Sequence, residues 1–255
     1  KTMKEIGIRQ QDSKYNELVK DYLNKGLNYP TAMAKALDID FEFNPNDLLG
    51  ISYLKAIDKI NPSIKAVTIK RTSSYHDLDS NNIIISASNI RNKFLNNVDV
   101  SPYTPYFARM IKPNMDLYFK VLKCKILTDT KLDSYLDVTE GLDYRLKKVI
   151  RECNSLDELI NKLKSKRYTY NKISRTLVHI LLGITSEVNK YDSYLKVLGF
   201  SKAGSNYLKS LDIDFNLYKH HPLYKYELNS SMIYDLINNT DTYSYEKKNK
   251  PVIKD

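Results

Sequence analysis

Tryptophan is absent from this 255-residue chain, cysteine occurs twice, and glycine and proline number only seven and eight. Two cysteines cannot build a disulfide framework or a cysteine-based zinc site. So little glycine and proline excludes a collagen-like or low-complexity protein. No stretch approaches the ~18 consecutive apolar residues that a transmembrane helix needs. The opening KTMKEIGIRQQ lacks the apolar core of a signal peptide. A cytoplasmic protein is therefore expected. The glycine pattern of a P-loop, GxGxxG, HExxH and GxSxG are all missing too. The four histidines, His76, His179, His220 and His221, stand in no metal-ligand spacing. His179 falls on a helix, which suits a structural or surface role, and His220-His221 precedes a proline as a loop would.

What remains is an ordinary globular composition. Apolar residues make up 42% and charged residues 27%. The length suits one large domain or two small ones, with enough chain to bury a core. The net charge is +10. Such an excess points to a polyanionic partner, nucleic acid first and an anionic membrane surface second. The competing explanation is compositional drift. Lysine rather than arginine supplies most of the charge, and the 21 tyrosines fit the same AT-rich bias.

Hydrophobic periodicity predicts a helix over 14–26, with Leu18, Val19, Tyr22 and Leu23 recurring and Gly26 closing it. Tyr29-Pro30 interrupts the chain before a short helix at 31–37. Asn44-Pro45-Asn46-Asp47 starts another helix, which runs to Ile60 with Leu49, Tyr53, Leu54, Ile57 and Ile60 on one face. Residues 64–70, IKAVTIK, read as a strand, and Ile83-Ile84-Ile85 as a second, fully apolar one. Ser86 caps a helix reaching Leu95. Helix, strand, loop, strand, helix is the tail of an α/β layered domain. Beyond Pro102, Pro105 and Pro113 the pattern becomes helical, over 114–128, 131–137, 141–152, 155–164 and 171–183. Short helices and loops mix over 200–240, and the polar tail YSYEKKNKPVIKD is expected to fray. The expected division is an α/β piece at 1–98 and an α-helical domain at 99–255.

Two constellations carry chemistry. Arg71 stands at the end of the first predicted strand, where open α/β sheets place ligands. Ser86 and Ser88 open a helix whose free N–H groups and dipole favour an anion, and Arg91 lies where its fork could close on a phosphate. An ordinary cap with solvated arginines explains the same spacing. The second is KLKSKRYTYNKISR, Lys162 to Arg175, with six basic residues, no acidic one, and Tyr168 and Tyr170 interleaved. Basic side chains grip phosphates and rings stack on unpaired bases. A charged interhelical loop is the alternative.

The ordered set of motifs resembles the bacterial tRNA(Met) cytidine acetate ligases of the nucleotidyltransferase superfamily. Residues 26–32, GLNYPTA, resemble GLSYPxA, and 44–50 with 53–57 resemble PNNILGxxYxKAI. VTIKR at 67–71 and YHD at 75–77 resemble VTIKR and GYHD, and SASNIR at 86–91 resembles SATAIR. EGLDYR at 140–145 resembles EGLExR, and KSKRYT at 164–169 with ISR at 173–175 resembles KSKRYTRTRISR. Val197 to Phe200 with Gly204 also fits.

The resemblance implies a fold of class α/β: the C-terminal part of a Rossmann-like nucleotidyltransferase domain followed by a mainly α-helical domain. It implies an enzyme that joins ATP and acetate into acetyl-adenylate and acetylates N4 of the wobble cytidine of elongator tRNA(Met). Mg²⁺ accompanies ATP as a generic expectation. By matching position, Asn46, Arg71, Thr72, Ser86, Ser88 and Arg91 are the ATP residues. Lys164, Lys166, Arg167, Tyr168, Lys172 and Arg175 are the choice for tRNA contact, inferred from the basic run itself. Neither resident metal ligands nor a membrane partner is expected.

Three departures qualify the match. Asp47 replaces the second Asn of PNN, Tyr170-Asn171-Lys172 replaces RTR, and nothing here matches the family's NPFHNGH segment with its phosphate-stabilising histidines. Residue 1 is Lys, and the chain reads as the C-terminal two-thirds of such an enzyme, with no catalytic residue assigned within it. A non-catalytic RNA-binding module is therefore one alternative. An adenylyltransferase acting on a small phosphorylated substrate is another, although it would need neither the helical domain nor its basic run.

Overall fold

The computed structural model describes residues 2–27, 29–38, 45–69, 78, 80, 82–165, 168–211, 217–248 and 250–254. The chain divides into two compact units. One comprises 1–103 with 165–169, the other 104–164 with 170–255.

The first unit holds helices α1 (Thr2–Arg9), α2 (Ser13–Asn24), α3 (Tyr29–Ala36), α4 (Pro45–Ile60) and α5 (Ala87–Leu95). Asp12 caps α2 by accepting from the Lys14 N–H at 3.0 Å. Gly26 follows at φ +83°, a conformation glycine adopts without the Cβ penalty. Helix α3 starts earlier than its sequence predicts and takes Pro30 into its first turn, where no N–H is needed. Helix α2 packs on α3 and α1 on α4. Their buried side chains are Ile6, Tyr15, Val19, Ala32, Met33, Leu37 and Ile51.

This core corrects the expected faces. On α4 the buried position is Ile51, whereas Leu49, Tyr53 and Ile60 are exposed. On α2 it is Tyr15 and Val19, with Leu18 and Leu23 outward. Both helices carry apolar residues around more than one face, so periodicity alone cannot choose the stripe.

The two expected strands do not form. Residues 65–69 make no ladder, and Ile69 is 94% exposed. Ile83 and Ile84 are 92% and 64% exposed, and only Ile85 is buried. A strand needs a neighbour for its N–H and C=O groups. Among the described residues of this unit there is none.

The second unit contains α6 (Met115–Thr128), α7 (Leu142–Ile150), α8 (Leu156–Leu163), α9 (Tyr170–Leu182), α10 (Lys202–Ser210), α11 (Tyr224–Asn238) and α12 (Thr242–Lys248). Leu122, Ile126, Leu146, Ile150, Leu159, Leu163, Leu177 and Ile180 fill its core and are essentially inaccessible. Helix α8 begins at Ser155, which accepts from the Glu158 N–H at 3.2 Å, while Glu158 accepts from the Asn154 N–H at 2.9 Å. This reciprocal arrangement approximates a capping box.

The stretch expected as a helix over 131–137 is one 3₁₀ turn, Leu132–Ser134, followed by extended chain bridging Tyr135 to Thr185. Asp129 diverts it by accepting from the Lys131 N–H at 2.8 Å.

The tail is not frayed. Helix α12 and strand β2 (Val252–Lys254) are formed, and β2 pairs in parallel with β1 (Gly199–Ser201). A Cβ on Gly199 would lie 2.8 Å from the Val252 carbonyl oxygen, so only glycine permits this approach.

Candidate functional site

Helix α5 gives the best-defined candidate for anion binding. Ser86 holds an extended backbone, φ −70° and ψ 152°, and its Oγ accepts from the Asn89 N–H at 3.0 Å. The predicted cap is therefore present, and Ser86 is buried. Asn89 is fully buried. Its side-chain amide donates to the Ser80 carbonyl at 2.9 Å, which fixes the approach to the helix. The Asn89 Oδ1 has no partner among the described residues. One turn on, the Arg91 guanidinium donates to Ser88 Oγ at 3.3 Å, so these two predicted residues meet.

No acidic residue stands in the first turn of α5. The dipole and free N–H groups there favour an anion, and Arg91 adds a full positive charge. Asn46 is exposed in the first turn of α4, next to Asp47. An acidic residue at that position suits the dipole and works against a phosphate there. Arg71 and Thr72 lie outside the described residues, as does the YHD motif at 75–77. A cavity of about 170 Å³ in the same unit is lined by Lys4, Leu54, Ile57, Asp58, Pro62, Ile64 and Ala66 and includes none of the predicted ATP residues.

The basic run is divided by its own structure. Lys164 is exposed at the C-cap of α8. Ser165 and Tyr168 close a turn. The Ser165 N–H donates to the Tyr168 carbonyl at 3.0 Å, and the Tyr168 N–H to Ser165 Oγ at 3.1 Å. Lys166 and Arg167 fall outside the described residues. Tyr168 is buried, so its ring offers no open face for the expected stacking. Tyr170 is exposed. Lys172 and Arg175 project from α9, and the Arg175 Nε donates to Asp137 at 2.9 Å. His179, on the same helix, contacts the Leu136 carbonyl at 3.2 Å, in keeping with a structural role.

One further concentration of polar groups, drawn from three separate segments, lies wholly within the second unit. Lys196 donates to Glu227 at 2.8 Å and also pairs with Glu246, and the Tyr194 hydroxyl donates to Glu227. Burial and the neighbouring Glu246 push the Glu227 carboxyl above its usual range. Both carboxylates line a cavity of about 660 Å³. Tyr194 separates it from a second cavity of about 530 Å³ that is lined by Tyr218, His220, His221 and Pro222. The doubled histidine was the only sequence signal of this place.

Solved structures share this fold. A crystal structure of Thermotoga maritima TmcAL in its apo form matches 99% of this chain and 74% of its own, with a TM-score of 0.74 at 18% identity. The same protein bound to alpha-thio ATP matches with a TM-score of 0.69. The fold class expected from the sequence is thus found. The chain belongs to the HIGH nucleotidyl transferase family, whose description matches residues 1–253. It is 34% identical to the tRNA(Met) cytidine acetate ligase of Mycoplasma mobile over 182 residues, 69% of this chain and 61% of that protein. It is 32% identical to the ligase of the same name from Clostridium perfringens strain SM101, over 88% of this chain and 65% of that one. The chain therefore spans just under two thirds of the length of these relatives.

Proposed function

We propose that this chain is the ATP- and tRNA-handling part of an acetate ligase that makes N4-acetylcytidine at the wobble position of elongator tRNA(Met). Residues 1–98 form the nucleotide-binding domain and 99–255 the tRNA-binding one. The observation that carries the reading is the run of about one-third identity to acetate ligases along most of the chain. The capped, acid-free start of α5, with Ser88 and Arg91 in contact, gives it a physical basis.

Two steps make up the reaction. An acetate oxygen attacks the α-phosphorus of ATP, and pyrophosphate leaves. The N4 amine then attacks the acetyl carbon, loses a proton, and AMP departs with the carboxylate oxygen. Negative charge accumulates on the departing pyrophosphate, where prearranged cations and helix N–H groups act most strongly. Ser86, Ser88 and Arg91 supply this environment with Asn46, Arg71 and Thr72, and Mg²⁺ enters as the counterion of ATP. Lys164, Lys166, Arg167, Lys172 and Arg175 hold the tRNA backbone. The setting is cytoplasmic.

Direct titration tests the reading. The chain is bound to elongator tRNA(Met), with initiator tRNA(Met) as competitor, at two salt concentrations. Preference for the elongator and a steep salt dependence are expected. Neutralising Lys164, Lys166 and Arg167 together flattens the salt slope by about three units. Salt-insensitive binding without preference, or an unchanged slope, overturns the assignment. An RNA-binding module without catalysis would bind with the same salt dependence but without the elongator preference.

A further inference from the structure

We infer that Asp137 is a positioning residue for RNA binding: its carboxylate fixes the Arg175 guanidinium on the surface of α9 so that the open end of the fork meets a backbone phosphate. The inference rests on the proposed tRNA reading and adds an acidic residue to a surface so far described only by its cations.

The carboxylate bridges two side chains. Arg175 and His179 stand four residues apart on α9, and therefore on one face of it. Asp137 Oδ2 lies 2.9 Å from Arg175 Nε and 3.4 Å from His179 Nδ1. The Arg175 side chain is 58% exposed and that of His179 only 13%. The histidine end of the bridge is thus enclosed and the arginine end faces solvent.

The segment around Asp137 is held without this ion pair. The Leu136 N–H donates to the Ile184 carbonyl at 2.9 Å, the Val138 N–H to the Tyr135 carbonyl at 3.1 Å, and Tyr135 bridges to Thr185. Val138 is buried. An ion pair open to solvent adds little to stability. Yet Asp137 keeps φ +67°, a left-handed conformation that costs a residue with a Cβ free energy and glycine none. A strained residue whose side chain contributes little to the fold points to a use for that side chain.

The use follows from which nitrogen is engaged. With Nε held by the carboxylate, the two terminal nitrogens form the open end of the fork, and they make no hydrogen bond among the described residues. Two parallel N–H bonds from that end match two phosphate oxygens. An exposed arginine without an anchor samples many rotamers and loses that freedom on binding, whereas an anchored one has little left to lose. Plain electrostatics predicts the opposite sign. A carboxylate beside Arg175 offsets its charge and repels a phosphate, so a carboxylate that did not orient the fork would weaken binding.

The test measures binding of the 255-residue chain to fluorescein-labelled elongator tRNA(Met) by fluorescence anisotropy. Asp137→Gly should weaken binding about three- to tenfold, the cost of ordering one long side chain. Asp137→Asn keeps an acceptor for Nε and tolerates the left-handed backbone, so most of the affinity should return. Arg175→Ala should weaken binding and lower the salt slope by about one unit. In that background Asp137→Gly should change nothing further. Circular dichroism confirms that each variant folds. Unchanged or tighter binding by Asp137→Gly, an equal loss from Asp137→Gly with and without Arg175, or an Arg175→Ala variant that binds as the unmodified chain does overturns the inference. Elongator preference and the slope carried by Lys164, Lys166 and Arg167 would stand through all three, whereas a chain that binds no tRNA overturns both readings.

Discussion

Replacing Ser86 separates the structural from the functional role of the α5 start. The Ser86 hydroxyl accepts from a backbone N–H whose residue is fully buried. Ser86→Ala leaves that donor without a partner and costs about 1–2 kcal/mol. Ser86→Asp keeps an acceptor at the cap and adds a charge the helix dipole favours, so the first unit should melt near the unmodified temperature. A bound phosphate responds in the opposite way. A carboxylate about 5 Å from a phosphate charge, at an effective dielectric of ~20, repels it by about 3 kcal/mol, or roughly two orders of magnitude in Kd. Calorimetric titration with ATP, paired with thermal melts, measures both effects. Ser86→Ala should lower stability with a small loss of affinity, and Ser86→Asp should lose affinity with stability kept. If Ser86→Asp binds ATP as the unmodified chain does, the phosphates do not sit at this helix start. If Ser86→Ala melts unchanged, the cap contributes nothing.

Two further expectations concern the second unit. Leu146 is completely buried, and Leu146→Ala should destabilise by about 3–5 kcal/mol through lost burial and the cavity left behind, seen as a lower denaturant midpoint. Burial works against ionisation of Asp235, yet hydrogen bonds from Thr240, Tyr243 and Thr242 hold its carboxyl well below the usual range. A depressed folded-state pKa stabilises above the unfolded value of about 4 and loses that contribution as pH falls. The docking of α12 should therefore loosen in acid, and amide exchange at Tyr243 should accelerate there. Asp235→Asn should remove most of that acid sensitivity.

Much of this organisation was readable from residues alone. Ser86 announced a cap because a hydroxyl before a helical run has few other uses, and the cap is there. Helices α6 to α9 were readable because their apolar positions recur at helical spacing. The Glu227–Lys196–Glu246 group was not readable, because its members come from three separate segments that only the packing of α11 and α12 brings together.

The sequence by itself determined where α5 and α8 start, which face of α7 to α9 is apolar, and which family the motif order resembles. These depend on near neighbours in the chain, through caps, periodicity and the rigid φ of proline. Tertiary structure decided the rest. It chose Ile51 over Leu49 and Tyr53 as the buried face of α4, left residues 65–69 without a ladder, turned Tyr168 inward, and paired a polar tail with Gly199. Each outcome depends on what lies opposite in space. A strand without a neighbour has no ladder, and a tail of modest hydropathy is held when a glycine lets its backbone approach.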